Sequence, residues 1–115
     1  MKLDSCLIMI RGDNIEFKYG LKGQSSEIDK GYSYNILLDK GLSFNETLFV
    51  LAHELVHVKQ LKCGDLRFNQ DSIHFHDIVY PNNARNHNGD LHELSAARLG
   101  TLLYEKNRGV LILYD

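Results

Sequence analysis

The feature that most constrains this chain is the run from Ser43 to Cys63, "SFNETLFVLAHELVHVKQLKC", which contains no glycine and no proline. Ser43 and Glu46 have the Ser-x-x-Glu spacing of a capping box, in which two side chains satisfy two backbone amides that the first helical turn leaves open. Gly64 follows directly and suits the turn that ends a helix. The spacing therefore predicts a helix over about 43–63. Phe44, Leu48, Leu51, Leu55 and Val58 recur at helical intervals and are expected to face a core. His53 and His57 are four residues apart and share one face of that helix.

Shorter elements are expected on either side. "CLIMIR" and "NIEFKY" flank Gly12-Asp13, a pair suited to a tight turn, and read as a β-hairpin over 5–19. "GLKGQSSEIDKG" (20–31) reads as a polar loop. "YSYNILLD" (32–39) reads as a strand with Tyr34, Ile36 and Leu38 on one side. Residues 64–89 lack helical periodicity and hold a short strand around 73–80, followed by a turn at Pro81-Asn82-Asn83. So long a polar connection in a small domain is often functional. Asp90 and Glu93 repeat the capping-box spacing and open a second helix, about 90–107, with Leu91, Leu94 and Ala97 toward the core. Gly109 is expected to end it, leaving "VLILY" (110–114) as a buried strand. The sum is an α+β class and a single domain over 1–115, since 115 residues are too few for two independent cores.

Charge removes some function classes. Thirteen basic and fifteen acidic residues give a formal net charge of −2. No basic run is long enough to follow a phosphate backbone, so no nucleic-acid partner is expected. No stretch of some 18 apolar residues occurs, so no membrane span is expected either. The apolar segment near the N-terminus is too short for a signal peptide. Two cysteines, Cys6 and Cys63, do not make a disulfide framework. A cytoplasmic location is the expectation.

The polar residues inside the first helix carry the chemistry. His53-Glu54-Leu55-Val56-His57 is a His-Glu-x-x-His pattern, which on a helix turns two imidazoles toward one point where a single zinc ion can bind. Glu54 lies about 100° round the helix from His53, near enough to take a proton from water activated by the metal without ligating it. Random shuffling of this composition yields the pattern about 1–2% of the time, so the motif alone is only suggestive. Its position in mid-helix, between apolar neighbours, strengthens it, because burying two histidines and a glutamate without partners is costly.

Catalytic zinc takes three protein ligands and keeps one position open. His74, His76, His87, His92 and Glu93 are the residues available as the third. One known class places a histidine six residues after the second, but here that position is Cys63, and position 60 is Gln rather than the Gly that class needs. Glu93 also suits the first turn of a helix, where a carboxylate is favoured by the helix dipole. His92 points about 100° away from Glu93 and is a poor co-ligand. Tyr80, Arg85 and His87 precede Glu93 closely and are the candidates for oxyanion or substrate contacts. His74 and His76 alternate on the expected strand, where exposure explains them better than a second metal does.

"LAHELVHVKQLKCGDL" followed by "HELSAARLG" resembles the small gluzincin-type metallopeptidases, including compact phage and bacterial forms related to the SprT-like and ImmA/IrrE-like groups. The resemblance covers about 32–104. In that pattern the second helix carries a glutamate ligand, often as Glu-x-x-Ala, matched here by Glu93-Leu94-Ser95-Ala96. Many relatives have another acidic residue two positions on; Ser95 stands there, which leaves the outer partner of a zinc histidine unidentified. The resemblance implies a minimal zincin-like fold, a small twisted sheet packed on the active-site helix. It also implies a zinc-dependent peptidase with one Zn2+ on His53, His57 and Glu93, and Glu54 as general base. The implied partner is a protein or peptide substrate, lying extended along an edge strand in a groove that is open or completed by a partner protein. The rival reading is a non-catalytic binding or regulatory module stabilised by zinc. Glu54 argues against it, since a purely structural site needs no base, and such a site would recruit His87 or Cys63 as a fourth ligand.

Overall fold

A computed structural model describes residues 6–16, 20–82 and 90–113, with side chains as far as residue 106. The elements are β1 (Leu7–Asp13), β2 (Gly23–Asp29), β3 (Ser33–Asp39), α1 (Phe44–Lys62), β4 (Leu66–Phe68), β5 (Ser72–Phe75), β6 (Ile78–Pro81) and α2 (Leu91–Leu113). The architecture is α+β: a small twisted sheet of order β1-β3-β2 packs on α1, α2 packs on α1, and β4-β5-β6 form a second small sheet. None of the described helices is long and apolar enough to cross a membrane.

The first sheet departs from the expected hairpin. β1 runs parallel to β3, from Leu7 against Ser33 to Asp13 against Asp39, and residues 17–19, the rest of the expected second hairpin strand, lie outside the described residues. Ile15 and Glu16 are helical, and Ile15 is wholly buried. The Asp13 side chain accepts from the Asn14 amide, and that of Asp39 from the Glu16 amide. These bonds bend the chain away from a two-residue hairpin turn. The segment expected as a polar loop is β2, antiparallel to β3 from Gly23 against Leu38 to Glu27 against Tyr34. Its polarity concealed it: an edge strand with little buried surface shows no apolar alternation. β3 is the centre, and Tyr34, Ile36 and Leu38 point together onto Val58, Val50, Leu51, Leu55 and Leu61 of α1.

α1 begins as expected. The Ser43 side chain accepts from the Glu46 amide at 3.2 Å, and the Glu46 carboxylate accepts from the Ser43 amide at 3.4 Å. The buried set differs from the simple stripe. Ala52, Glu54, Val56, His57, Val58 and Gln60 are buried, while Phe44 is exposed. The helix is covered from two sides, by the sheet and by α2, so burial goes round it instead of following one face.

α2 continues to Leu113, so Gly109 does not end it and residues 110–113 are helical, not a strand. A glycine inside a helix costs only about 1 kcal/mol relative to alanine, which the flanking helix formers override. Its packing face is also rotated from expectation. Leu91 and Leu94 are exposed, and the seam against α1 is His92, Ala96 and Gly100. A β-carbon on Gly100 would lie 2.9 Å from the His53 Cα and 3.0 Å from its amide nitrogen. Small residues thus let the two helices meet backbone to backbone. Between the helices, β4 pairs with β5 and β5 with β6, all antiparallel, around a second core of Leu66, Ile73 and Phe75.

Candidate metal centre

The histidines of α1 and the glutamate of α2 converge. His53 Nε2 and His57 Nε2 are 3.1 Å apart, and Glu93 Oε1 lies 3.2 Å from the first and 2.9 Å from the second. Four atoms placed tetrahedrally about zinc, with bonds of about 2.0–2.1 Å, stand about 3.3 Å from one another. The observed triangle therefore has nearly the dimensions of one face of a zinc coordination sphere. Among the described residues this is the group of three or more metal-ligating side chains that the fold assembles.

The proton inventory points the same way. The Gln60 side-chain NH2 donates to the His92 carbonyl at 3.1 Å, so its oxygen is the atom facing His57 Nδ1 at 2.9 Å. Nδ1 must then carry the hydrogen, and Nε2 of the neutral ring presents a lone pair to the shared point. A lone pair there faces a carboxylate oxygen and a second imidazole nitrogen. A second proton on the ring, a proton shared from His53 Nε2 or a cation among the three would each answer that lone pair, and the cation answers all three donors at once. Without a cation, burial would lower the His57 pKa, but Glu93 outweighs burial and holds it above the ordinary histidine value. Burial would likewise raise Glu93, yet the hydrogen bonds from His53 and His57 hold it well below the usual carboxylate range. Two imidazoles and one anionic carboxylate are a donor set suited to Zn2+, and the residues fit that ion.

Glu54 lies beside this triangle and outside it. It is buried, and desolvation pushes its pKa above the ordinary value, against the pull of His57, His53 and the Ser25 hydroxyl. β2 crosses directly over it: a β-carbon on Gly23 would sit 2.5 Å from Val50 Cγ1 and 3.2 Å from Glu54 Oε2. Only a residue without a side chain allows the strand this close to the carboxylate. A cavity of about 330 Å3, walled by Leu21, Gly23, Ser25 and Phe68, opens onto His53, Glu54, His57 and Glu93.

The other candidates are placed as follows. His92 is buried behind Glu93, with Nε2 3.8 Å from Glu93 Oε2 and its ring 6.0–6.4 Å from those of His57, Phe68, Phe75 and Tyr80. It is not one of the three converging donors, but it backs the carboxylate that is. The Tyr80 hydroxyl accepts from the Leu91 amide at 3.2 Å and so helps to cap α2. Arg85 and His87 lie outside the described residues. His74 bonds Ser72 Oγ, and His76 sits at the β5–β6 turn with φ 54°, so the two do not share a strand face. Cys63 is the exposed C-cap of α1 and is not in the donor group.

Sequence reasoning did not find the parts of Gln60, Ser25, Gly23 and Gly100. Gln60 had a signal, an amide one turn after His57 on the same helix face, and its side chain meets His57 Nδ1, the contact that position 95 does not supply. Comparison with protein-family models, curated proteins and solved structures gives no match to this chain.

Proposed function

We propose that this chain is a zinc-dependent peptidase, a single zincin-like domain over 1–115. The observation that carries the proposal is the pairing of a three-donor zinc triangle with a separate buried carboxylate, Glu54, on one cavity. The resemblance of His53–His57 and Glu93–Ala96 to the gluzincin-type pattern supports the same reading.

A zinc ion on His53, His57 and Glu93 supplies Lewis acidity, polarising a carbonyl and acidifying water. Glu54 takes the proton of the attacking water and later delivers it to the leaving amine. A raised pKa suits that double task, because it brings the group nearer the working pH. Gln60 holds His57 in the tautomer that keeps Nε2 free to ligate. The exposed edge of β2, which lies over Glu54, is the strand on which an extended peptide would pair.

The test is the zinc content of purified wild type, Glu54→Gln and Glu93→Ala, with cleavage of an unfolded protein substrate followed by mass spectrometry. About one zinc per chain in wild type and in Glu54→Gln, strongly weakened binding in Glu93→Ala, and cleavage by wild type alone are expected. Absence of zinc from all three after reconstitution would overturn the reading. Full zinc occupancy in Glu93→Ala would remove the glutamate from the ligand set.

A further inference from the structure

The metal-centre cavity has a neighbour along β2. A larger cleft of about 800 Å3 adjoins it and shares the walls of Gln24, Ser25, Leu61, Leu66 and Phe68. One wall of that cleft is β2, from Gln24 to Glu27, and the other is β4 with Asn69. Among the described residues β2 pairs only with β3, and β4 only with β5. Among the described residues both walls therefore present a strand edge that no further strand covers. Exposed edges are normally blunted by lysine, proline or a bulge. Residues 23–27 contain neither lysine nor proline, and the register shift comes only after Glu27. The open part spans about 14 Å, enough for four or five extended residues.

The charge of the cleft is opposite to that of the chain. Lys30, Lys62 and Arg67 line it, against Glu27 alone. The Glu27 carboxylate accepts from the Gly31 amide at 3.0 Å and is thereby tied into the β2–β3 turn. Lys62 Nζ donates to the Gly31 carbonyl at 3.3 Å, which holds that ammonium at the cleft wall. The cleft is net positive in a molecule whose net charge is −2.

We propose that the cleft between β2 and β4 is the specificity arm of the site and holds an extended polypeptide bearing an acidic side chain a few residues from the bond offered to the metal centre. The proposal rests on the peptidase reading and adds the substrate class. Backbone pairing to the strand edges supplies affinity without regard to sequence, and Lys30, Lys62 and Arg67 supply the preference.

The test is fluorescence anisotropy with the full chain, zinc-loaded and carrying Glu54→Gln to prevent turnover. The probes are three labelled twelve-residue peptides of one Ser/Thr/Val/Ala sequence, with two Glu, two Gln or two Lys at the same positions, and an oligo-dT of twelve nucleotides. The Glu peptide is expected to bind about tenfold more tightly than the Gln peptide, and the Lys peptide most weakly. Adding Lys62→Glu and Arg67→Glu should reverse that order while leaving zinc content unchanged. An N-methylated copy of the Glu peptide should lose most of its affinity. Equal affinity for the three peptides, a preference that survives charge reversal, full affinity of the N-methylated copy, or oligo-dT outcompeting the Glu peptide would each overturn the proposal. Binding needs no hydrolysis, so the two readings separate. Acid-selective binding together with a zinc-loaded wild type that cleaves none of these peptides and no unfolded protein sinks the peptidase reading alone. Cleavage with no charge preference sinks this one alone.

Discussion

Replacing Gly100 by alanine sets two effects of opposite sign against each other. An alanine in a helix interior is intrinsically favoured over glycine by about 0.8–1.0 kcal/mol. Here the added methyl would stand 2.9 Å from the His53 Cα, 3.0 Å from the His53 nitrogen and 3.4 Å from the Ala52 carbonyl carbon. All three are backbone atoms of α1, so no side chain can turn aside. Non-bonded carbons prefer about 3.5–4.0 Å, so the helices must part locally by about 0.6–1 Å. Overpacking of this kind costs about 1–3 kcal/mol, which makes the net effect a loss of about 0–2 kcal/mol. The consequence for the metal is sharper. Glu93 is about 10 Å along α2 from Gly100, on a rigid helix, and must meet His53 and His57 within about 0.2 Å of ideal bond lengths. Zinc affinity should fall about tenfold or more. Competition with a chromophoric chelator measures it, and thermal unfolding of the zinc-free chain measures stability. Ala97→Gly, at an exposed position of α2, serves as the reference for the alanine–glycine propensity difference alone. If Gly100→Ala were more stable than wild type with unchanged zinc affinity, the backbone contact between the helices would be refuted.

The other expectations follow from single residues. Gln60→Leu removes the acceptor for His57 Nδ1 and should weaken zinc binding about 10–100-fold, while Gln60→Glu, which keeps an acceptor, should recover part of it in the same titration. Glu54→Gln should raise the melting temperature of the zinc-free chain at pH 8. The Glu54 pKa is raised in the fold, so its burial costs stability that grows as pH rises from the unfolded value through the folded one; the gain over wild type should shrink toward pH 4. Zinc should leave on acidification, since His57 holds its second proton above the ordinary histidine value when the metal is absent; affinity falls by about tenfold per pH unit for each proton the metal must displace, read by titration from pH 8 to pH 5. Ser43→Ala should cost about 1 kcal/mol in urea unfolding through loss of the α1 cap, with zinc affinity unchanged.

What the sequence disclosed depended on whether a residue's part was local. The α1 cap, the one-turn spacing of His53 and His57 and the inward alternation of β3 are set within a few residues, and each could be read directly. Glu93 was reachable through its resemblance to a ligand-bearing helix. The parts decided by distant neighbours were not. β2 was hidden because its edge is polar; β1 was read as a strand, but its pairing was not, because its partner is β3, more than twenty residues on. The face of α2 was misjudged because leucines outrank small residues in any apolar count. The fold instead spends Ala96 and Gly100 on the interface and leaves Leu91, Leu94, Leu99 and Leu102 exposed.

That choice of seam bears on which of the two zinc readings the fold favours. A zinc that merely staples a small core needs ligands and nothing beside them. Here two further constraints surround the triangle and do nothing for it. Gly23 admits β2 to within contact of Glu54, and Glu54 is held buried at a cost in solvation. Replacing that carboxylate with an isosteric amide relieves the cost and leaves every converging donor in place. A site under selection for stability alone would make that exchange, whereas one that must move a proton next to a polarised carbonyl could not. The decisive comparison is therefore Glu54→Gln itself: higher melting temperature and full zinc occupancy together with lost turnover would assign the carboxylate to chemistry, unchanged turnover would remove it from the chemistry, and no turnover in wild type either would assign the site to structure.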